Sequence, residues 1–254
     1  MNISGKITGK NLEDDMSILS IKNYTKVYGK DKKACDDVSL EVEAGDIFGF
    51  IGHNGAGKST TIRAVVGVLD FEEGEITIGG HDVKKDPLAC KKVTAYIPDN
   101  PDIYENLTGI QYLNFISDAF GLSESDRKSR IMEYAARFEI SDALNDLISS
   151  YSHGMKQKVA IISALIHKPL LLVLDEPFVG LDPKASFTLK EIMREMCAEG
   201  SAVFFSTHVL DVAEKLCNKI AIIKKGRIIA NGKIEDLIGE HSLEEVFLEA
   251  VKDD

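Results

Sequence analysis

The sequence predicts an α/β fold with a doubly wound core, a small β-rich layer at the N-terminus and an inserted helical subdomain. Three observations support this prediction. Short apolar segments with strand character alternate with amphipathic segments of helical period. A glycine-rich turn joins one strand directly to a helix, and a long, mostly helical stretch interrupts the alternation. Such alternation is typical of a parallel sheet covered by helices.

The first half of the chain holds most of the predicted strands. Residues 1–16 are polar and aperiodic, and we expect a disordered extension there, followed by one domain over residues 17–254. Strands are predicted over residues 18–24, 38–42, 47–51, 75–78 and 93–97, with a helix from about 58 to 69.

The second half begins with the helical insertion and then resumes the alternation. The insertion spans about residues 100–166, and its first helix opens at Thr108 with a capping box to Gln111. Ile110, Leu113, Phe115 and Ile116 are predicted to form the apolar stripe of this helix. Strands over residues 170–174, 203–205 and 220–223 then alternate with helices over 183–198 and 209–216. A second capping box, from Ser242 to Glu245, opens a short C-terminal helix.

Composition limits the classes of function. The 254 residues carry a net charge of −11, which argues against general attraction to nucleic acid or anionic lipid. The four cysteines are scattered, as is typical of buried, reduced thiols in a cytosolic protein. No segment resembles a signal peptide or a membrane span, so we expect that the chain alone does not cross a membrane.

Residues 52–59, Gly-His-Asn-Gly-Ala-Gly-Lys-Ser, fit the phosphate-binding pattern G-x-x-x-x-G-K-S between a strand and a helix. Gly55 and Gly57 let the backbone curl so that its N–H groups point at phosphate oxygens. Lys58 would reach the β- and γ-phosphates, and Ser59 would offer an oxygen to Mg²⁺. The alternative is a coincidental glycine-rich turn before an amphipathic helix.

Two carboxylates, Asp175 and Glu176, follow the apolar run over residues 170–174. A buried parallel strand would deliver them to the carboxyl edge of the sheet, where ligands bind in open α/β folds. There Asp175 could hold Mg²⁺ and Glu176 could polarise an attacking water. Taken alone, the pattern also fits a strand that meets a solvated turn.

Residues 151–158, Tyr-Ser-His-Gly-Met-Lys-Gln-Lys, precede a predicted helix. Ser152 and the N–H groups after it would form an anion site at the helix N-terminus. The alternative is an N-capping serine on an ordinary helix.

In this order, these segments resemble the ATP-binding cassette (ABC) family. Residues 151–155 resemble its signature, whose usual form begins Leu-Ser-Gly-Gly-Gln. Tyr28 stands where the family has an aromatic residue that stacks on adenine, residues 180–183 resemble the D-loop, and His208 resembles the switch histidine. The resemblance covers about residues 17–250, and residues 243–248 look like the tail of ATPases that pair with exporter-type (ABC-2) permeases.

The resemblance implies a P-loop NTPase (RecA-like) core with an N-terminal antiparallel β layer and an inserted α-helical subdomain. It implies ATP and Mg²⁺ as cofactors and four groups of site residues. The catalytic residues would be Glu176 and His208. The ATP-binding residues would be Tyr28, Gly52, His53, Asn54, Gly55, Ala56, Gly57, Lys58, Ser59 and Thr60. The ATP of a second subunit would be bound by Ser152, His153 and Gly154, and the metal by Ser59, Asp99 and Asp175.

The chain departs from the family pattern at three positions. Asp99 stands where the family usually has Gln, so an oxygen for Mg²⁺ remains but the amide donor is lost. Asp99 could equally be only the first residue of a turn. His153 and Met155 replace a Gly and the Gln of the signature, while the backbone donors remain.

The resemblance implies an ATP-hydrolysing subunit that powers export through a separate integral-membrane permease. Two copies, or one copy and a relative, would sandwich two ATP molecules at the inner face of the cell membrane, and nucleic acid is not expected as a partner. The alternatives are a non-transport ABC ATPase acting on DNA or ribosomes, and an unrelated P-loop kinase or NTPase. The single cassette, the lack of a heptad arm and the acidic balance disfavour the first.

Overall fold

The computed structural model describes residues 17–29, 32–100 and 102–252, and the predicted extension over residues 1–16 lies outside them. Its strands are β1 Leu19–Tyr28, β2 Lys32–Val42, β3 Ile47–Ile51, β4 Glu73–Ile78, β5 His81–Asp82, β6 Thr94–Ile97, β7 Leu171–Asp175, β8 Ala202–Thr207, β9 Lys219–Lys224 and β10 Arg227–Lys233. Its helices are α1 Lys58–Val65, α2 Pro87–Val93, α3 Gly109–Ala119, α4 Glu124–Arg137, α5 His153–Leu165, α6 Pro183–Ala198, α7 Leu210–Leu216, α8 Ile234–Ile238 and α9 Leu243–Lys252.

The strands form two sheets. The first is antiparallel with the order β2-β1-β4-β5, and the second has the order β10-β9-β3-β8-β7-β6. In the second sheet β3, β6, β7, β8 and β9 run parallel, and β10 pairs antiparallel with β9 at the edge. The predicted fold class, an α/β core with an N-terminal antiparallel layer, is confirmed.

The parallel sheet is buried on both faces because its side chains alternate between two apolar clusters. In β3, Ile47 and Ile51 belong to the cluster that includes residues of α5, α6 and α7. Phe48 and Phe50 belong to the other cluster, with residues of α1 and the antiparallel sheet. Helices therefore cover both faces of the sheet, as a doubly wound core requires.

The helical insertion shares the core of the parallel sheet. Its helices α3, α4 and α5 contribute Leu113, Ile131 and Ile162 to the same cluster as Leu172 of β7. The capping box at Thr108 forms: its hydroxyl accepts from the Gln111 N–H, and the Gln111 side chain accepts from the Thr108 N–H. Because the core is continuous, the subdomain boundaries at about residues 100 and 166 stay a prediction.

One residue of the predicted α3 stripe was assigned wrongly. Phe115 is half exposed, and its ring packs edge-on against Tyr104, with 5.7 Å between centroids. Leu113 is fully buried, whereas Ile110 and Ile116 pack partly buried against the core. At 100° per residue, position 115 lies beyond the edge of the stripe that those three define.

Four short elements escaped the sequence prediction: α2, α8, β5 and β10. The signal for α2 was present, because Asp86 accepts from the Ala89 N–H and Pro87 occupies the first turn. Strand β10 is an edge strand with no buried residue, so it lacks a strong apolar pattern. The helix predicted to end near residue 69 ends at Val65, where the chain turns through Gly67 with a φ of 68°.

The four cysteines are free and buried, and burial raises the pKa of each thiol. Among the described residues, no helix is long and apolar enough to cross a membrane.

Candidate ATP site

The predicted nucleotide site is an open cleft of about 610 Å³ at the carboxyl ends of β3 and β7. Neighbouring parallel strands bring together segments that lie more than a hundred residues apart in the sequence. The predicted residues that line the cleft are Tyr28, His53, Asn54, Gly55, Gly57, Lys58, Ser59, Thr60, Asp99, Asp175 and Glu176. Gly52 and Ala56 belong to the same loop but are buried and do not line the cleft.

The loop over residues 52–57 takes a shape that only glycines allow at two positions. Gly55 has a φ of 81° and Gly57 a φ of 116°, both in the left-handed region. At Gly57 a Cβ atom would also lie 2.8 Å from the Ala34 carbonyl oxygen. Helix α1 begins directly afterwards at Lys58, so its free N–H groups face the cleft.

The Lys58 ammonium is almost completely buried and is held by main-chain oxygens. Its Nζ donates to the Gly52 carbonyl at 2.7 Å and to the His53 carbonyl at 3.4 Å. The Oε1 atom of Glu176 lies 3.6 Å away. The positive charge is thus fixed at the base of the cleft before any phosphate arrives.

The two carboxylates that follow β7 are positioned by β8. Asp175 is buried, and its Oδ1 accepts from the Ser206 hydroxyl, the residue that pairs with it across the sheet. The Glu176 N–H donates to the Ser206 carbonyl at 3.2 Å. Glu176 has a φ of 50°, which is uncommon for a residue with a side chain and turns the chain at the sheet edge.

His208 approaches the same carboxylate from the end of β8. Its Nδ1 lies 2.9 Å from the Oε1 atom of Glu176, and its side chain is half exposed. The Val209 N–H donates to Thr207 Oγ1 at 3.0 Å, which fixes the turn around the histidine. One carboxylate oxygen therefore lies between the Lys58 ammonium and the His208 ring.

Ser152, His153 and Gly154 lie away from this cleft. Ser152 is exposed and caps α5 by accepting from the Met155 N–H at 3.3 Å. The His153 ring packs against Gly180, where a Cβ atom would lie 2.7 Å from its Nε2. The structure thus does not bring these residues to the ATP cleft of their own chain.

The segment that resembles the D-loop borders that helix. Asp182 caps α6 by accepting from the Ala185 N–H at 2.8 Å and pairs with Lys158 of α5 at 2.8 Å. The Lys158 ammonium and the Ala185 N–H hold the pKa of the Asp182 carboxyl below its usual value. The signature-like and D-loop-like segments therefore form one surface.

Comparisons with known proteins assign the family. The family described as ABC transporter matches residues 35–179, more than half of the chain. The chain belongs to the ABC transporter family. It is 37% identical over 244 residues to the ABC-type transporter ATP-binding protein EcsA of Bacillus subtilis, covering 94% of this chain and 98% of that protein. It is 35% identical to the linearmycin resistance ATP-binding protein LnrL of the same organism, covering 87% of this chain and 70% of LnrL.

Solved structures agree with the fold. An ATP-binding subunit of an ABC transporter superposes with a TM-score of 0.89 at 36% identity, over 93% of this chain and all of that one. A dimeric cassette with bound ADP and phosphate, MJ0796, has a TM-score of 0.77 at 23% identity, over 85% of this chain and 98% of that chain, and shows the shared fold. The predicted ABC family and ATPase class are confirmed, and the chain is an ATP-binding subunit of that family.

Some residues of this ABC cleft were missed in the sequence. Lys32, Lys33 and Lys225 line it, and Ser206 bonds to Asp175. Ser206 could have been found, because it directly follows the predicted strand over residues 203–205, and parallel strands end at one edge of a sheet. Lys225 follows from the turn between β9 and β10, which the sequence did not reveal.

The cleft suits Mg²⁺ shared with a nucleotide. Ser59, Asp99 and Asp175 all line it and offer only oxygen ligands, which Mg²⁺ prefers. No three acidic, His or Cys side chains among the described residues converge closely enough to hold a metal by themselves. This arrangement fits Mg²⁺, which takes one or two carboxylates and completes its shell with phosphate and water.

Asp99 remains compatible with both of its interpretations. Its Oδ1 accepts from the Asn100 N–H at 2.9 Å, as in a turn, yet its side chain faces the cleft that contains Asp175. If Asp99 serves Mg²⁺, Asp99→Asn keeps an amide oxygen but loses the charge, and Asp99→Ala keeps neither.

We expect Asp99→Asn to raise the Mg²⁺ needed for half-maximal hydrolysis about tenfold to a hundredfold, and Asp99→Ala to raise it further. ATP affinity should change little, since the ammonium of Lys58 and the loop amides remain. The measurement is the hydrolysis rate against free Mg²⁺, with Asp102→Asn, a nearby exposed carboxylate, as control. Identical Mg²⁺ curves for wild type and both Asp99 variants would reduce Asp99 to a turn residue.

Proposed function

We propose that this ABC subunit hydrolyses ATP in the cleft and thereby powers export of a substrate through a separate membrane permease. The observation that carries the proposal is the position of the Glu176 carboxylate, 3.6 Å from Lys58 Nζ and 2.9 Å from His208 Nδ1. A general base or water-orienting group needs a positive group on the phosphate side and a partner that fixes its direction. Glu176 has both.

Each cleft residue then has a distinct task. Tyr28, with 43% of its surface exposed at the end of β1, offers its ring face to adenine. The loop amides and Lys58 hold the phosphates, while Ser59, Asp175 and Asp99 would hold Mg²⁺. A Mg²⁺ ion held by these residues would neutralise charge on the transferred phosphoryl group. Glu176 accepts a hydrogen bond from the attacking water, and His208 orients Glu176 and faces the γ-phosphate.

Two ATPase subunits would complete the site. Ser152, His153 and the Gly154 N–H form an exposed helix N-terminus suited to an anion, yet they lie outside the cleft of their own chain. A second copy placed head to tail would bring them to the γ-phosphate. A full set of cleft and signature residues in one chain favours a homodimer, and a heterodimer with a related subunit would use the same surfaces.

The export direction and the permease are supported by the relatives. LnrL is named for resistance to linearmycin. EcsA is named as an ABC-type transporter ATP-binding protein, and the match covers 98% of its length. The tail over residues 243–248 resembles that of ATPases paired with exporter-type permeases. We therefore place the subunit on the cytoplasmic face of the cell membrane, attached through the permease.

Glu176→Gln tests the catalytic assignment. The amide keeps the shape of the side chain but no longer accepts a proton or orients water strongly, so hydrolysis should fall at least about a hundredfold. ATP binding should persist, and ATP–Mg²⁺ should shift the variant from monomer to dimer in gel filtration. Glu191→Gln, a partly exposed carboxylate on α6, is the control. Wild-type turnover by the Glu176 variant would remove the role given to Glu176.

Isolation from membranes tests the transport assignment. The tagged chain, purified in mild detergent from its own cells, should bring down one polytopic membrane protein in constant ratio. That protein should raise the ATPase rate when the two are reconstituted in liposomes. Recovery with ribosomes or DNA, and no effect of any membrane protein on the rate, would favour a non-transport ATPase.

A further inference from the structure

The C-terminal helix α9 presents a narrow apolar face. Its capping box forms, with the Ser242 N–H donating to Glu245 Oε2 at 2.9 Å and the Glu245 N–H to Ser242 Oγ at 3.2 Å. Leu243 is fully buried, and Phe247, one turn later on the same side, has only 5% of its surface exposed. The next residue, Leu248, is 49% exposed. The helix is therefore docked through few side chains.

The docked face contacts helix α7 and the phosphate-binding loop. The Leu243 N–H donates to Glu214 Oε2 on α7 at 2.7 Å, and α9 packs along α7. The Phe247 ring meets the His53 imidazole edge-on, with 4.9 Å between centroids and 67° between planes. His53 belongs to the phosphate-binding loop, so Phe247 of α9 contacts that loop directly.

His53 is the position where the hydrogen bonds of the loop converge. Its carbonyl accepts from the Ala56 N–H at 3.1 Å and from Lys58 Nζ at 3.4 Å. A change in the backbone at residue 53 would therefore move an acceptor of the Lys58 ammonium. Gly55 and Gly57 give the loop little stiffness of its own, because glycine restricts the backbone least.

We propose that Phe247 is a positioning residue for ATP binding, which acts through the His53 ring to hold the phosphate-binding loop in its binding shape. The contacts form a closed circuit. The His53 carbonyl accepts from Lys58, Lys58 lies near Glu176, and Glu176 lies near His208. Helix α7 begins two residues after His208 and packs against α9, which carries Phe247. The inference rests on the proposed ATP site. In it, α9 restrains the phosphate-binding loop through Phe247 and the segment after His208 through α7.

The physical effect should appear in affinity. A loop that is already ordered loses less conformational entropy when ATP binds, so the ring contact lowers the dissociation constant for ATP. The reacting carboxylate Glu176 and its partner His208 do not touch Phe247 in any described contact, so turnover of bound ATP should change little. A residue that only stabilised the fold would affect the amount of active protein, so its loss would lower kcat and leave KM unchanged.

The test compares Phe247→Leu, which fills the space without an aromatic edge, with Phe247→Tyr, which keeps the ring. Leu248→Ala, the exposed neighbour on the same helix, is the matched control. For Phe247→Leu we expect the Kd for ATP by calorimetry and the KM to rise about threefold to tenfold, with kcat within about twofold of wild type. Phe247→Tyr and Leu248→Ala should bind ATP like wild type, and amide exchange over residues 52–58 should quicken only in Phe247→Leu.

A double-mutant cycle with His53→Gln asks whether the effect passes through the ring contact. Because the two rings act as one pair, the double variant should bind ATP no more weakly than the weaker single variant. Additive losses, or a fall in kcat at unchanged KM, would overturn the proposal and leave only a packing role. Wild-type affinity for ATP in Phe247→Leu would also overturn the proposal, but the assignment of the ATP site would stand. Failure of the wild-type chain to bind ATP would remove the ATP site and this inference together.

Discussion

A lysine ammonium with only 6% of its residue surface exposed must find oxygen partners inside the protein. Lys58 finds them in the carbonyls of Gly52 and His53, and it can do so only because the loop between them curls back on itself. The curl requires the positive φ values of Gly55 and Gly57. The same curl turns the free N–H groups of α1 toward the cleft, so that the cation and the amides would face a bound phosphate from one side.

The order of the strands supplies the other side of the cleft. Because β8 lies between β3 and β7, the phosphate-binding loop, the two carboxylates and His208 end at the same edge of the sheet. The Ser206 hydroxyl and carbonyl fix Asp175 and Glu176, and the strained backbone of Glu176 directs its carboxylate toward Lys58. The geometry that we propose for catalysis is therefore a consequence of neighbouring strands, and the side-chain pairs fix the directions of the two carboxylates.

The sequence predicted the strands of the parallel sheet and the residues directly after them, because an apolar run and a polar end are strong local signals. It did not predict β10, whose side chains are all partly exposed, or the lysines that the β9–β10 turn and β2 bring to the cleft. The contact of Phe247 with His53 spans 194 positions in the chain, as their numbers show, and depends on how α9 docks. Local patterns carry no information on such docking, which is why the sequence predicted the C-terminal helix but not its partner.

ATP–Mg²⁺ binding by Lys58→Ala, measured by titration calorimetry, tests the central claim most directly. The control is Lys215→Ala, which removes the same charge from an exposed pair with Asp211. We expect Lys58→Ala to lose at least about a hundredfold in affinity, since a charge-assisted contact to two phosphates is gone, while Lys215→Ala binds like wild type. The far-ultraviolet circular dichroism of both variants should match wild type. Wild-type affinity in a folded Lys58→Ala variant would contradict the account, because the buried ammonium would then not be the group that receives the phosphates.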